Sequence, residues 1–86
     1  MIEIYGTANC VYCERARVLC DDNNLEYVYK ALDDKENGLT FMEEFTQKVP
    51  GAKTVPQIFW HGKYIGGHND FAIEIENTRE FGQGGF

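Results

Sequence analysis

An alternating apolar stretch, Ile2-Glu3-Ile4-Tyr5, runs into Gly6, and beyond it the period changes: Cys13, Ala16 and Cys20 recur at i, i+3 and i+7. The first pattern reads as a short strand and the second as one face of a helix from Val11 to about Asn23. A strand feeding directly into a helix commits the chain to a βα unit. Leu25 to Leu32 (LEYVYKAL), aromatic and β-branched, reads as a second strand inside the sheet, parallel to the first through a right-handed crossover. Asp33 and Asp34 then read as caps of a helix with an apolar stripe of Phe41, Met42, Phe45 and Val49, ended by Pro50-Gly51. Gln57 to Trp60, a His61-Gly62 turn and Lys63 to Ile65 form a hairpin signal. Gly66-Gly67 breaks the last strand, and Asn69-Asp70 caps a final helix that buries Phe71, Ala72 and Ile75. The order βαβ–α–ββ–α predicts an α/β fold: a mixed four-stranded sheet flanked by three helices. Residues 1–81 read as one domain and 82–86 (GQGGF) as a flexible tail.

Composition narrows what this fold can serve. With 86 residues the chain has room for a single modest core. A net charge of −6 removes the basic face that nucleic acid requires. No apolar run approaches the roughly 18 residues of a membrane span, and the sequence opens on a strand pattern rather than a charged leader, so a soluble, cytoplasmic protein is expected.

The three cysteines decide the chemistry. A secreted disulfide scaffold would carry more cysteines in even number, and structural zinc needs four ligands. No second cysteine pair exists, and the only histidines, His61 and His68, form no ligand pair with Cys20, so no metal site is expected. Cys10-Val11-Tyr12-Cys13 lies where the first strand gives way to the first helix. There the unsatisfied N–H groups and the positive end of the helix dipole stabilise a thiolate. They should draw the Cys10 pKa toward the ~3.5–7.5 range of such sites. Cys13, covered within the first turn, is expected to remain a thiol until Cys10 has formed a mixed disulfide, which it then resolves. Cys20 reads as a small core residue beside Cys13 and Ala16. A CxxC at a βα junction reads as redox-active.

Three motifs in order, NCVYC (Asn9 to Cys13), KTVPQIF (Lys53 to Phe59) and GGHND (Gly66 to Asp70), resemble the glutaredoxins of the thioredoxin-like fold, over Ile2 to about Arg79. The resemblance implies a dithiol enzyme with Cys10 and Cys13 catalytic and glutathione as reducing co-substrate, with no tightly bound cofactor. It implies that Pro56 is cis and turns the backbone of Val55 toward the sulfur, where it can bond glutathione as an added strand would. Thr54, Gly67 and His68 belong to the same surface. The N–H groups of Asn69 and Asp70 would hold the γ-glutamyl carboxylate, the Asp70 side chain its ammonium, and Tyr12 would pack on the tripeptide. The family potential, about −200 to −230 mV, and substrates that are glutathionylated or disulfide-containing proteins, ribonucleotide reductase among them, follow from the same resemblance. A monomer is expected, and the small size and minimal loops are similar to those of virus-encoded members.

The chain departs from the family at Val11, where proline is usual, at Thr7, where many members carry a basic residue, and at Glu43, where Gln or Arg helps bind the glycyl carboxylate. Lys53 is left as the cation for that carboxylate. Three further readings stand beside the dithiol enzyme: a donor reduced by thioredoxin reductase, which should lack the GGHND pocket; a glutathione-ligated [2Fe–2S] carrier, which would use the same pocket; and a catalytically idle binding module.

Overall fold

The computed structural model describes residues 1–83. Its elements are β1 (Ile2–Gly6), α1 (Val11–Asp22), β2 (Tyr27–Ala31), α2 (Gly38–Lys48), β3 (Gln57–Trp60), β4 (Lys63–Gly66) and α3 (His68–Gln83). The strands form one mixed sheet in the order β2-β1-β3-β4. β1 runs parallel to β2 with Ile4 opposite Tyr29, and antiparallel to β3 with Ile4 opposite Ile58; β3 and β4 are antiparallel. His61 and Gly62, with φ of 53° and 78°, make the tight hairpin turn. This is the mixed four-stranded sheet that the element order predicted, in the thioredoxin-like fold that the resemblance implied.

Because side chains alternate across a strand, β1 serves two cores. Ile2 and Ile4 join Ile58, Ala16 and Cys20 of α1, and Phe71 and Ile75 of α3. Tyr5 points the other way, into a smaller cluster with Phe59 and Phe45 of α2. No described helix is long and apolar enough to cross a membrane.

The structure corrects several expectations. β2 is an edge strand, half-buried along its whole length, because β1 and not β2 takes the central place beside β3. Asp33 does not cap α2. Its carboxylate accepts the Ala8 N–H instead, at 3.2 and 3.1 Å, while Asp34 accepts from the N–H groups of Glu36 and Asn37 in the turn before the helix. Met42 is exposed on α2 rather than part of its buried stripe, and Ala72 on α3 is half-buried. α3 begins at His68, which places Asn69 and Asp70 inside its first turn rather than ahead of it. α3 is described as far as Gln83, and of the stretch expected to be tail residues 84–86 lie outside those described.

Candidate active site

The site grows from the end of the central strand. β1 stops at Gly6, the chain turns through Thr7, Ala8 and Asn9, and α1 starts with Cys10 as its N-cap at an extended φ of −141°. Its carbonyl accepts the Glu14 N–H at 3.1 Å, opening the helix, and its Sγ accepts the Cys13 N–H at 3.1 Å. The sulfur therefore occupies the place an N-cap oxygen usually holds, and a thiolate there gains both the N–H and the helix dipole. Cys10 and Cys13 form a disulfide in this structure. The two sulfurs are unequal: Cys10 is half-buried, whereas Cys13 has no exposed surface.

Two contacts from distant sequence reach the turn before Cys10. The Tyr29 hydroxyl donates to the Thr7 carbonyl at 2.6 Å, and Asp33 takes the Ala8 N–H. Sequence reading assigned neither residue to the site. Both arrive only through the parallel β1–β2 register, a pairing between segments more than twenty residues apart that local patterning does not display.

A shallow cleft of about 250 Å³ opens beside the disulfide. One wall is Tyr12, half exposed, with the Arg15 guanidinium 5.0 Å from its ring centroid and the His68 ring 5.7 Å away. A second is the run Thr54 to Pro56, in which the Val55–Pro56 bond is cis and the Val55 carbonyl lies 3.8 Å from Cys10 Sγ. The third is Gly67 to Asp70 at the start of α3. There Asp70 folds back so that its Oδ2 accepts the Gly67 N–H at 3.3 Å. This needs a residue without a side chain at position 66: Gly66 has φ of 122°, and a Cβ there would come 2.5 Å from that oxygen. Tyr12, Thr54, Val55, Pro56, Gly67, His68, Asn69 and Asp70 thus line one cleft. Lys53 is exposed one residue before the lining and does not itself line the cleft. Glu43 lies on α2, along a separate groove with Met42, Thr46 and Gln47.

Cys20 is the remaining cysteine, and it is fully buried in the α1–α3 core. Burial, with a smaller contribution from Asp21, pushes its thiol up to about 11. At neutral pH it is a protonated, unreactive core residue.

The glutaredoxin family model matches residues 2–65, which contain both cysteines and the Thr54–Pro56 wall. The chain belongs to the glutaredoxin family. It is 36% identical to glutaredoxin-C8 of rice (Oryza sativa subsp. japonica) over 81 residues, 91% of this chain but only 58% of that protein. It is 38% identical to glutaredoxin 1 of Escherichia coli K12 over 79 residues, 87% of this chain and 92% of that one. Among solved structures, a buckwheat glutaredoxin–glutathione complex superposes with a TM-score of 0.75 at 26% identity, covering 94% of this chain and 73% of the buckwheat chain. This glutaredoxin therefore spans a little over half of the rice relative and nearly all of the bacterial one.

Proposed function

We propose that this chain is a glutathione-dependent thiol–disulfide oxidoreductase that runs a dithiol cycle through Cys10 and Cys13. The observation that carries the reading is the asymmetry of the pair: a half-buried sulfur at a helix N-cap, bonded to a fully buried one, at the edge of a cleft that ends on a second helix N-terminus. Reduced Cys10 attacks a substrate disulfide as the thiolate; a bond forms to one substrate sulfur and the other leaves as a thiolate that takes up a proton. Cys13 then attacks Cys10 Sγ, releasing the second substrate sulfur and closing the Cys10–Cys13 disulfide. One glutathione opens that disulfide by attack on Cys10, and a second displaces the first as glutathione disulfide.

The cleft suits the tripeptide. The Val55 main chain offers extended hydrogen-bonding groups beside the sulfur, and the start of α3 offers N–H groups and a positive dipole to a carboxylate. Asp70 would receive the γ-glutamyl ammonium, Tyr12 would give an apolar face, and Lys53, outside the lining, would meet the glycyl end. Its substrates would be disulfide-containing or glutathionylated proteins, ribonucleotide reductase among them, met by a monomer in a reducing cytoplasm.

The deciding measurement is turnover of a small glutathionyl mixed disulfide, with glutathione plus glutathione reductase, or thioredoxin reductase, as the electron source. Turnover with the glutathione system is expected; turnover only with thioredoxin reductase, or none, would overturn the reading. Asp70→Ala should raise the glutathione concentration required, by the equivalent of about 1.5–3 kcal/mol for a lost bond to a charged group. An unchanged requirement would remove Asp70 from the binding surface.

A further inference from the structure

Cys13 Sγ and the Tyr29 hydroxyl flank the same point beside Gly6, at the end of β1. Gly6 has no side chain, and a Cβ placed there would collide with the Tyr29 hydroxyl and lie 2.8 Å from Cys13 Sγ. The phenol reaches this spot because Tyr29, opposite Ile4 in the parallel β1–β2 pair, faces α1. Its hydroxyl donates to the Thr7 carbonyl at 2.6 Å. Arg17, four residues beyond Cys13 on α1, closes the other side: its guanidinium is 4.8 Å from the Tyr29 ring centroid, and its Nε donates to the Tyr27 hydroxyl at 3.3 Å. Burial raises the Tyr29 pKa, so the phenol keeps its proton and remains a donor.

The dithiol cycle has one step that this corner must serve. When an external thiolate attacks Cys10 Sγ, a new sulfur–sulfur bond forms, the Cys10–Cys13 bond breaks, and the electron pair leaves on Cys13 Sγ. Cys13 has no exposed surface, so the departing thiolate has lost its hydration, and an unpaired buried charge is costly. The backbone N–H of Cys13 is directed at the other sulfur. We propose that the Tyr29 hydroxyl is the donor that receives this charge. As the disulfide opens, its O–H turns about the Cζ–Oη bond from the Thr7 carbonyl to Cys13 Sγ. The proton stays on the phenol; when the thiolate takes up a proton from water, the O–H returns to Thr7. In the reverse direction the same bond helps Cys13 to ionise before it attacks. The inference rests on the dithiol reading of Cys10 and Cys13.

A double-mutant cycle tests it, with Tyr29→Phe, Cys13→Ser and the two combined. The first measurement is the rate at which the Cys10–Cys13 disulfide is opened by glutathione and, separately, by dithiothreitol. The second is monothiol turnover of a glutathionyl mixed disulfide in the Cys13→Ser background, where no charge leaves on residue 13. Tyr29→Phe should slow disulfide opening about tenfold with either reductant. In the Cys13→Ser background it should change turnover by less than about twofold. A similar loss in both backgrounds would mean that Tyr29 merely props the Thr7–Asn9 turn, and would overturn the inference, as would no loss in the first. A protein inert to glutathione but opened about tenfold more slowly by dithiothreitol in the variant would sink the glutathione reading and uphold Tyr29.

Discussion

The two faces of the sheet are built from the same strands by opposite means. Toward α1 and α3 the buried contacts are apolar, with Arg17 on the tyrosines of β2 at their rim: Ile2, Ile4, Ile58, Phe71 and Ile75 pack with Ala16 and Cys20, and Trp60 meets Phe71 edge-on at 5.8 Å. Toward α2 a ring of charge surrounds a small aromatic cluster. Tyr5 donates to Glu44 at 2.9 Å, Lys30 pairs with Glu44 at 2.8 Å, and Lys48 pairs with Glu3 at 2.9 Å while standing 5.1 Å from the Phe59 ring. The disulfide belongs to the apolar face. That face holds its geometry by close packing, which neither salt nor pH loosens. The α2 face, held by half-exposed ion pairs, answers to both.

The largest effects should follow from substitutions on the apolar face. On the proposed dithiol cycle, Cys10→Ser removes the nucleophile and should reduce turnover to background, whereas Cys13→Ser should keep measurable deglutathionylation, because in that cycle Cys10 alone would exchange with glutathione. Equal loss from both, in the glutathione-coupled assay, would contradict the assignment of roles. Next in size is Phe71→Ala. Truncating a fully buried aromatic at the junction of β3, α1 and α3 should cost about 3–5 kcal/mol in denaturant unfolding. A cost near 1 kcal/mol would show that the apolar core is not the main support of this face.

The sequence disclosed these two faces unequally. Strand and helix periods in β1, α1 and the hairpin were readable because each is set by neighbours along the chain: Ile2 and Ile4 alternate, and Cys13, Ala16 and Cys20 share a helical face. The residues that line the cleft could be picked out for a different reason, since Tyr12, Pro56 and Asp70 occur in motifs whose order matches a known family. What escaped was long-range. That β2 lies at the edge depends on which strand pairs with β3, and the tie of Asp33 to Ala8 depends on that edge in turn. Asp33 beside Asp34 looks like any helix cap until the partner N–H, twenty-five residues earlier, is brought to it. The Tyr5–Lys30–Glu44 network was hidden in the same way, because each member sits on a different element.

An intermediate effect is expected where strand and site join. Gly6→Ala would push a methyl group between the Tyr29 hydroxyl and Cys13 Sγ, and overpacking of this kind should cost about 1–3 kcal/mol. Combining it with Tyr29→Phe should recover part of that loss in chemical unfolding, since the hydroxyl is the nearest of the three obstructing atoms, the others being Tyr29 Cζ and Cys13 Sγ. Strict additivity of the two changes would mean that the backbone moves away and that the close approach is not what demands glycine.

The smallest effect should come from the charged face, and its direction with pH can be worked out. Glu44 is held below the ordinary carboxylate pKa by its bond from Lys30 and then by that from Tyr5; Glu3 is lowered mainly by Lys48, against the opposing effect of burial. A pKa depressed by folding means that the folded state binds protons less readily than the unfolded one. The stabilisation is therefore fully present above the unfolded carboxylate value of about 4.3 and is lost as pH falls through the folded value. Glu44→Gln keeps an oxygen to accept from Tyr5 but removes the charge. With the Glu44 side chain 36% exposed, screening should hold the cost at neutral pH to about 1 kcal/mol or less. The variant should lose less stability than the parent between about pH 5 and pH 3, and in about 1 M salt the two should converge at neutral pH as the ion pairs are screened. Unfolding curves whose acid limbs are superimposable would show that α2 is docked by Tyr5, Phe45 and Phe59 alone, and that the two faces are held by the same force after all.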